Sequence, residues 1–234
     1  MKIMFVGKNT GEIENLVRRL NFQIVSANPN LIISYGGDGT LLSCERKYPG
    51  IPKLPIRNSK ICKKCPKHEE KVLLKTLLEK NLPLQEYVKL ETTIENQTIT
   101  ALNDFVIRNK EAVHAIRFQI PPINSKLLIG DGIILSTPWG STGYFKSITQ
   151  QTFFKGFGLA FNNTIEKIDP IIFKANEEVT FKLIRGHGGL TYDNSHSHYA
   201  IKEGSELNFK LSSQKAKIYE ASSLRCPNCQ VIRG

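Results

Sequence analysis

The stretch from Leu31 to Thr40 limits what this chain can become. Leu31-Ile32-Ile33-Ser34-Tyr35 is a strand-length apolar run that passes without a linker into Gly36-Gly37-Asp38-Gly39-Thr40, and Leu41 onward has helical spacing. A strand apolar on both faces belongs to a parallel sheet, whose strands need helical crossovers, so strand, glycine loop and helix together mean an α/β layer. Without Cβ atoms the loop lets a ligand come close to its backbone, and its N–H groups with the helix N-terminus form an anion site. An acidic residue there would repel phosphate unless it does chemical work. Asp38 either holds a divalent cation or accepts a proton from an attacking hydroxyl. The alternative, from the residues alone, is a tight turn with Asp38 as the helix N-cap.

The same pattern flanks this unit. Ile3-Met4-Phe5-Val6 ends in Gly7 and precedes an amphipathic helix carrying Ile13, Leu16, Val17 and Leu20, while Lys53 to Ile56 and Glu69 to Lys80 form a third strand and helix. After Asn81-Leu82-Pro83 the pattern changes to short strands with few helices between them: Val88 to Ile94, Thr98 to Leu102, Phe105 to Arg108, Ala115 to Ile120, Ile133 to Ser136, Glu178 to Ile184, Gly189 to Tyr192 and Ser205 to Leu211. Glu95-Asn96-Gln97 is a hairpin signal. The expected fold is an α/β N-terminal domain with a parallel, Rossmann-like sheet over residues 1–82, followed by a mainly-β C-terminal domain over 83–212 built as a packed sheet or sandwich.

Lys and Arg number 32 against 21 Asp and Glu, a formal charge of +11. Such a field attracts polyanions, but nucleic-acid binders add Arg-rich clusters or aromatics interleaved with basic residues, and the lysines here are scattered. Nucleic acid is therefore not an expected partner. The charge reads either as general lysine richness or as attraction for nucleotide phosphates. No apolar run approaches the roughly 20 residues that span a bilayer, and the N-terminal run is too short for a signal peptide, so a cytoplasmic protein without a membrane partner is expected. Five cysteines, four of them in CxxC pairs, suit a reducing compartment.

Two further segments carry chemistry. Gly130-Asp131-Gly132 leads into the apolar Ile133-Ile134-Leu135 and then Ser136-Thr137-Pro138-Trp139-Gly140-Ser141-Thr142-Gly143-Tyr144, a small, hydroxyl-rich loop with an aromatic towards each end. It can hydrogen-bond a polar ligand and stack on a base, or be a surface loop with Trp139 packed for stability. In Leu102-Asn103-Asp104-Phe105-Val106-Ile107 two polar residues interrupt a strand, which from the residues alone is also consistent with a bulge or turn.

In order and spacing these three segments resemble the NAD kinase family, which has GGDGT after a strand, an Asn-Glu or Asn-Asp pair opening a later strand, and a stretch close to GDG, three apolar residues and STPTGSTAY. GGDGT alone is shared with diacylglycerol-type lipid kinases, a second enzyme reading. The resemblance implies phosphorylation of the adenosine 2′-hydroxyl of NAD by ATP or inorganic polyphosphate with Mg²⁺ or another divalent cation. It makes Asp38 the base or metal-organising carboxylate and Gly36, Gly37, Gly39 and Thr40 the phosphate loop. It puts Asn103 and Asp104 on the adenosine part of NAD, Asp131 at the nicotinamide end, and Thr142, Gly143 and Tyr144 along the dinucleotide pocket. It also implies a homodimer or homotetramer, and a tail, residues 213–234, returning to the N-terminal domain.

The chain departs from the family pattern at several places. Trp139 replaces Thr and Gly143 replaces Ala; Ser147-Ile148-Thr149-Gln150-Gln151 stands for a Gly-Gly-Pro segment; Leu54-Pro55-Ile56-Arg57-Asn58-Ser59-Lys60 stands for Gly-Ile-Asn-x-Gly; and Tyr192-Asp193-Asn194 stands for a late Asp-Gly pair. These changes motivate a third reading, a zinc-stapled dinucleotide-binding homologue with weak or no transfer.

Cys62-Lys63-Lys64-Cys65 and Cys226-Pro227-Asn228-Cys229 have the spacing that grips a tetrahedral ion, and the returning tail of the family would bring the pairs together. A structural Zn²⁺ held by Cys62, Cys65, Cys226 and Cys229 is expected; Lys63 and Lys64 favour thiolates, which a redox-sensitive disulfide would share. Cys44 reads as packing, His68 as a solvated helix start, though it could substitute as a ligand, and His187, His196 and His198, with Asp193, as a polar surface loop rather than a metal cluster.

Overall fold

The computed structural model describes residues 1–58, 66–111, 113–121 and 124–224. The chain forms two units, one from Met1–Tyr87 with the segment from Lys215 on, the other from Val88–Gln214.

In the first unit β1 (Lys2–Gly7), α1 (Gly11–Arg19), β2 (Gln23–Ile24), β3 (Leu31–Gly36), α2 (Asp38–Lys47), β4 (Lys53–Arg57) and α3 (Glu70–Leu78) alternate. The strands lie in the order β2-β1-β3-β4 and are all parallel. The end of a late strand joins β4, also in parallel, through Ile218 and Lys53. Alternate residues go to opposite faces: Ile3, Leu31, Ile33, Leu54 and Ile56 pack with Ile13, Val17, Leu73 and Leu74, whereas Met4 and Ile32 pack with Cys44 of α2. Helices on both faces are the reason the strands are apolar throughout. Cys44 is thus a core residue, and burial pushes its thiol up to about 11. At the far end of α2 the buried Glu45 pairs with the buried Lys53, whose ammonium also donates to the Tyr48 carbonyl at 2.6 Å.

His68 corrects the reading of a solvated helix start. It is buried at the end of the short 3-10 turn Pro66–His68 and lies 3.1 Å from the Ser222 hydroxyl. Burial first, then Lys67, lowers its pKa. Cys62, Cys65, Cys226 and Cys229 lie outside the described residues.

The second unit holds β5 (Leu84–Ile94), β6 (Gln97–Ala101), β7 (Asp104–Asn109), β8 (Ile116–Ile120), β9 (Asn124–Gly130), β10 (Gly132–Ser136), α4 (Tyr144–Thr149), β11 (Phe157–Asn162), β12 (Ile171–Phe173), β13 (Glu178–Arg185), β14 (Gly188–Tyr192) and β15 (Tyr199–Ile201). The last strand, β16 (Glu206–Tyr219), starts here and ends in the first unit. One antiparallel sheet runs β12-β11-β10-β7-β14-β15; on the other, β9-β8-β13-β16 has β5 beside β16 and β6 beyond it. Phe105, Leu135, Phe157 and Leu190 of the first sheet and Leu90, Phe118, Phe181 and Phe209 of the second form one core, a β-sandwich. Glu95 and Asn96, at φ 51° and 62°, make the two-residue turn of the β5–β6 hairpin.

Five strands, β2, β9, β11, β12 and β15, go beyond the expected ones, and β16 runs to Tyr219 rather than stopping at Leu211. Its second half alternates buried Ser212, Ala216 and Ile218 with Lys and Gln, too polar a sequence to announce a strand.

Candidate active site

In the first unit a cluster of candidate residues is built by β3, β4 and the start of α2. Sheet register puts Gly36 opposite Arg57, at the carboxyl ends of two parallel strands, the end where open α/β sheets bind ligands. A Cβ on Gly36 would lie 2.2 Å from the Thr40 hydroxyl, so that glycine is demanded by packing; one on Gly37 would meet nothing within 4 Å. Gly37, extended at φ −105° and ψ −165°, is the N-cap residue, and no side chain caps the helix. The N-cap alternative for Asp38 is therefore excluded: it is the first helical residue, 39% exposed, with its carboxylate 3.6 Å from the Arg57 guanidinium. Gly39 is exposed beside it.

In the second unit another cluster is built at one end of the sheet containing β7, β10 and β14. Asp104 opens β7 and pairs with Ser136, the last residue of β10; Tyr192, the last of β14, pairs with Phe105. Register therefore brings Asn103-Asp104, the hydroxyl loop and Asp193 to one place. Asp193, buried and at positive φ with Asn194, accepts the N–H groups of Leu102 at 2.7 Å and Asn103 at 2.6 Å. Asp and Asn tolerate that left-handed backbone. Thr137 donates its hydroxyl to the Leu102 carbonyl at 2.6 Å and its N–H to the Asn103 carbonyl at 3.0 Å. Gly140 packs so closely that a Cβ would sit 2.0 Å from the Asn103 oxygen, and one on Gly143 would lie 3.6 Å from Asn103 Nδ2.

That amide donates to the Asp104 carboxylate at 3.2 Å. Burial, and then the charge of Asp193, push the Asp104 carboxyl up to about 7, against a smaller lowering by Asn103. Thr142 is exposed and Tyr144 half-buried, whereas Trp139 is 6% exposed and packs into the fold rather than offering a stacking face. Asp131 is not part of this group. It sits at the opposite end of β10, roughly 17 Å from Ser136 at about 3.3 Å per residue, and accepts from Asn163 Nδ2 at 3.1 Å.

Two further residues lie in segments that depart from the family pattern: Arg57 takes its place through the register of β3 and β4, and Asp193 through its bonds to Leu102 and Asn103. His187, His196 and His198 are exposed, and among the described residues no group of three or more His, Cys, Asp and Glu could hold a metal. No helix among those residues is long and apolar enough to cross a membrane.

No protein-family model matches the chain. Curated relatives do. The NAD kinase of Sulfurisphaera tokodaii is 30% identical over 93% of this chain and 94% of its own length, and that of Natranaerobius thermophilus is 29% identical over 80% and 71%. Among solved structures, an Archaeoglobus fulgidus NAD kinase in complex with ATP superposes with a TM-score of 0.78 at 18% identity, covering 97% of each chain. A yeast NADH kinase complexed with NADH gives 0.80 at 14% identity, covering all of this chain and 89% of that one. The architecture is theirs, and the first relative matches nearly end to end: the chain belongs to the NAD kinase family.

Proposed function

We propose that this chain transfers a phosphoryl group from ATP or inorganic polyphosphate to the adenosine 2′-hydroxyl of NAD, giving NADP. The observation that carries the reading is a half-exposed carboxylate, Asp38, in a glycine loop whose Gly37 leaves open space above it, in a chain of this family. Asp38 accepts the proton of the hydroxyl as its oxygen bonds to phosphorus, and the bond from phosphorus to the leaving nucleotide or polyphosphate oxygen breaks. Gly36, Gly37, Gly39 and Thr40 shape the backbone that receives the donor's phosphates. Asn103, Asp104, Thr142, Gly143 and Tyr144 receive the dinucleotide. The rigid backbone around Asn103 means most of the rate comes from positioning.

The loop's donor set is hard oxygen, the Asp38 carboxylate and the Thr40 hydroxyl. That fits a divalent cation carried in on a nucleotide, which needs few protein ligands because phosphates and water supply the rest. Asp38 would hold it, and when bound it neutralises charge on the phosphoryl group being transferred.

Three finer readings go with this. Asp131, remote from Asn103, would meet a dinucleotide held by another copy, as a homodimer or homotetramer requires. Cys62, Cys65, Cys226 and Cys229 would bind a structural Zn²⁺; the support is that described residues bordering the two pairs are joined, Arg57 donating to the Leu224 carbonyl at 2.6 Å and His68 meeting Ser222. Reduced thiols of this kind suit the cytoplasm. The lipid-kinase and non-transferring readings have no observation in their favour.

Purified protein given Mg²⁺, NAD and either ATP or polyphosphate is expected to form NADP, and Asp38→Asn to abolish it with the fold intact. Dinucleotide binding without NADP from any donor would sink the proposal. Less than stoichiometric zinc in protein purified without chelator would remove the metal site.

A further inference from the structure

Arg57 occupies a position where this chain departs from the family pattern, and its surroundings are unusual for a strand-end arginine. The register of β3 and β4 sets it opposite Gly36, and its neighbour Asn58 donates its N–H to the Gly36 carbonyl at 3.3 Å. Its side chain is 13% exposed. One guanidinium nitrogen, Nη2, does two things at once: it donates to the Leu224 carbonyl at 2.6 Å and lies 3.6 Å from the Asp38 carboxylate. Its Nε is buried with no hydrogen-bond partner among the described residues.

At 3.6 Å the contact with Asp38 is an ion pair rather than a hydrogen bond. The low exposure of Arg57 means water screens the pair less than it screens a surface pair. A guanidinium cannot release its proton at working pH and its fork is stiff, so an arginine clamped at one nitrogen is a fixed charge. The clamp comes from Leu224, at the other end of the sequence. The cation offsets the repulsion between the Asp38 carboxylate and an incoming polyanionic donor, and it fixes the direction in which that carboxylate points.

We infer that Arg57 is a positioning residue for the transfer reaction: held by the carbonyl of Leu224, it orients Asp38 and balances its charge against the donor's phosphates. The inference rests on the proposed role of Asp38, so both are tested together. Steady-state kinetics with Mg²⁺-ATP and NAD would compare the parent protein with Arg57→Gln, Arg57→Lys, Asp38→Asn and the double variant Asp38→Asn/Arg57→Gln, all melted to confirm folding.

Arg57→Gln should lower kcat by about tenfold or more with the KM for NAD within about twofold, and Arg57→Lys, which keeps the charge, should recover most of the loss. The double variant should be no slower than Asp38→Asn, since Arg57 acts through that carboxylate. Full activity in Arg57→Gln beside an inactive Asp38→Asn overturns the role of Arg57 and leaves that of Asp38 standing. Full activity in Asp38→Asn overturns the role of Asp38 itself. If Arg57→Gln does not fold, Arg57→Lys decides: a folded lysine variant with kcat down tenfold and a KM for NAD within about twofold of the parent's would show that charge at this place is not what the reaction uses, and the inference fails.

Discussion

Asp193 fixes the backbone of Asn103: its two carboxylate oxygens accept the N–H groups of Leu102 and Asn103, at 2.7 and 2.6 Å, from about ninety residues further along the chain. An ionised acceptor on consecutive backbone donors makes a strong, direction-specific clamp. Asp193→Asn keeps the shape but points an N–H₂ group at one of those donors. The expected cost is about 1–3 kcal/mol of stability, together with a higher KM for NAD and a smaller change in kcat, checked by thermal melting and initial rates. A variant with unchanged melting and KM would show the clamp to be dispensable.

Asp104 gives a pH dependence of unusual sign. Its carboxyl is pushed up from 3.8 to about 7, first by burial and then by Asp193. Between those values the folded protein holds a proton that the unfolded chain has released, so this group's contribution is fully present below about pH 4 and is lost as pH rises through about 7. The full swing is on the order of 4 kcal/mol. Melting the parent and Asp104→Asn across pH 4 to 8 isolates it: the parent should lose stability relative to the variant as pH rises. Parallel curves would mean that Asp104 ionises normally.

The pairing of Glu45 with Lys53 is buried on both sides. Removing one charge strands the other, so Glu45→Gln should cost about 3–5 kcal/mol, whereas replacing both with apolar residues of similar size should cost much less. Calorimetric melting of the two single variants and the double variant tests this. A double variant as unstable as the singles would show that a stranded charge is not what costs the stability.

The glycines of the loop separate packing from function. Gly36→Ala would drive a Cβ into Thr40 and should lower the melting temperature, while Gly37→Ala enters open space in an extended backbone that alanine adopts readily. Gly37→Ala should therefore melt like the parent yet raise the KM for ATP if, as proposed, the space it fills receives the donor's phosphates. An unchanged KM would place the donor elsewhere.

How much of this was legible in the sequence varies with the distance over which the interactions act. The parallel layer was readable because β3 is apolar on both faces and runs straight into its glycine loop. The β-rich half was readable as a class, yet β16 extends past its last apolar residues because Lys53 offers Ile218 a partner that local pattern does not reveal. Asp38 and Asn103 sit within motifs. Arg57 and Asp193 sit in segments that only loosely match the family's, and what each does is set by register or by a contact made across a long stretch of chain. His68 was misread for the same reason: only the fold brings Ser222 to it.

The passage of β16 from one unit to the other has a consequence for biosynthesis. The second unit is a continuous stretch of chain, complete once Gln214 has been made. The first is not. Until Ile218 is synthesised β4 lacks this parallel partner, and until Leu224 appears Arg57 has no clamp. On the ribosome, the unit that begins first is completed after the one that follows it, and the carboxylate at the start of α2 faces a clamped Arg57 only once Leu224 has been made.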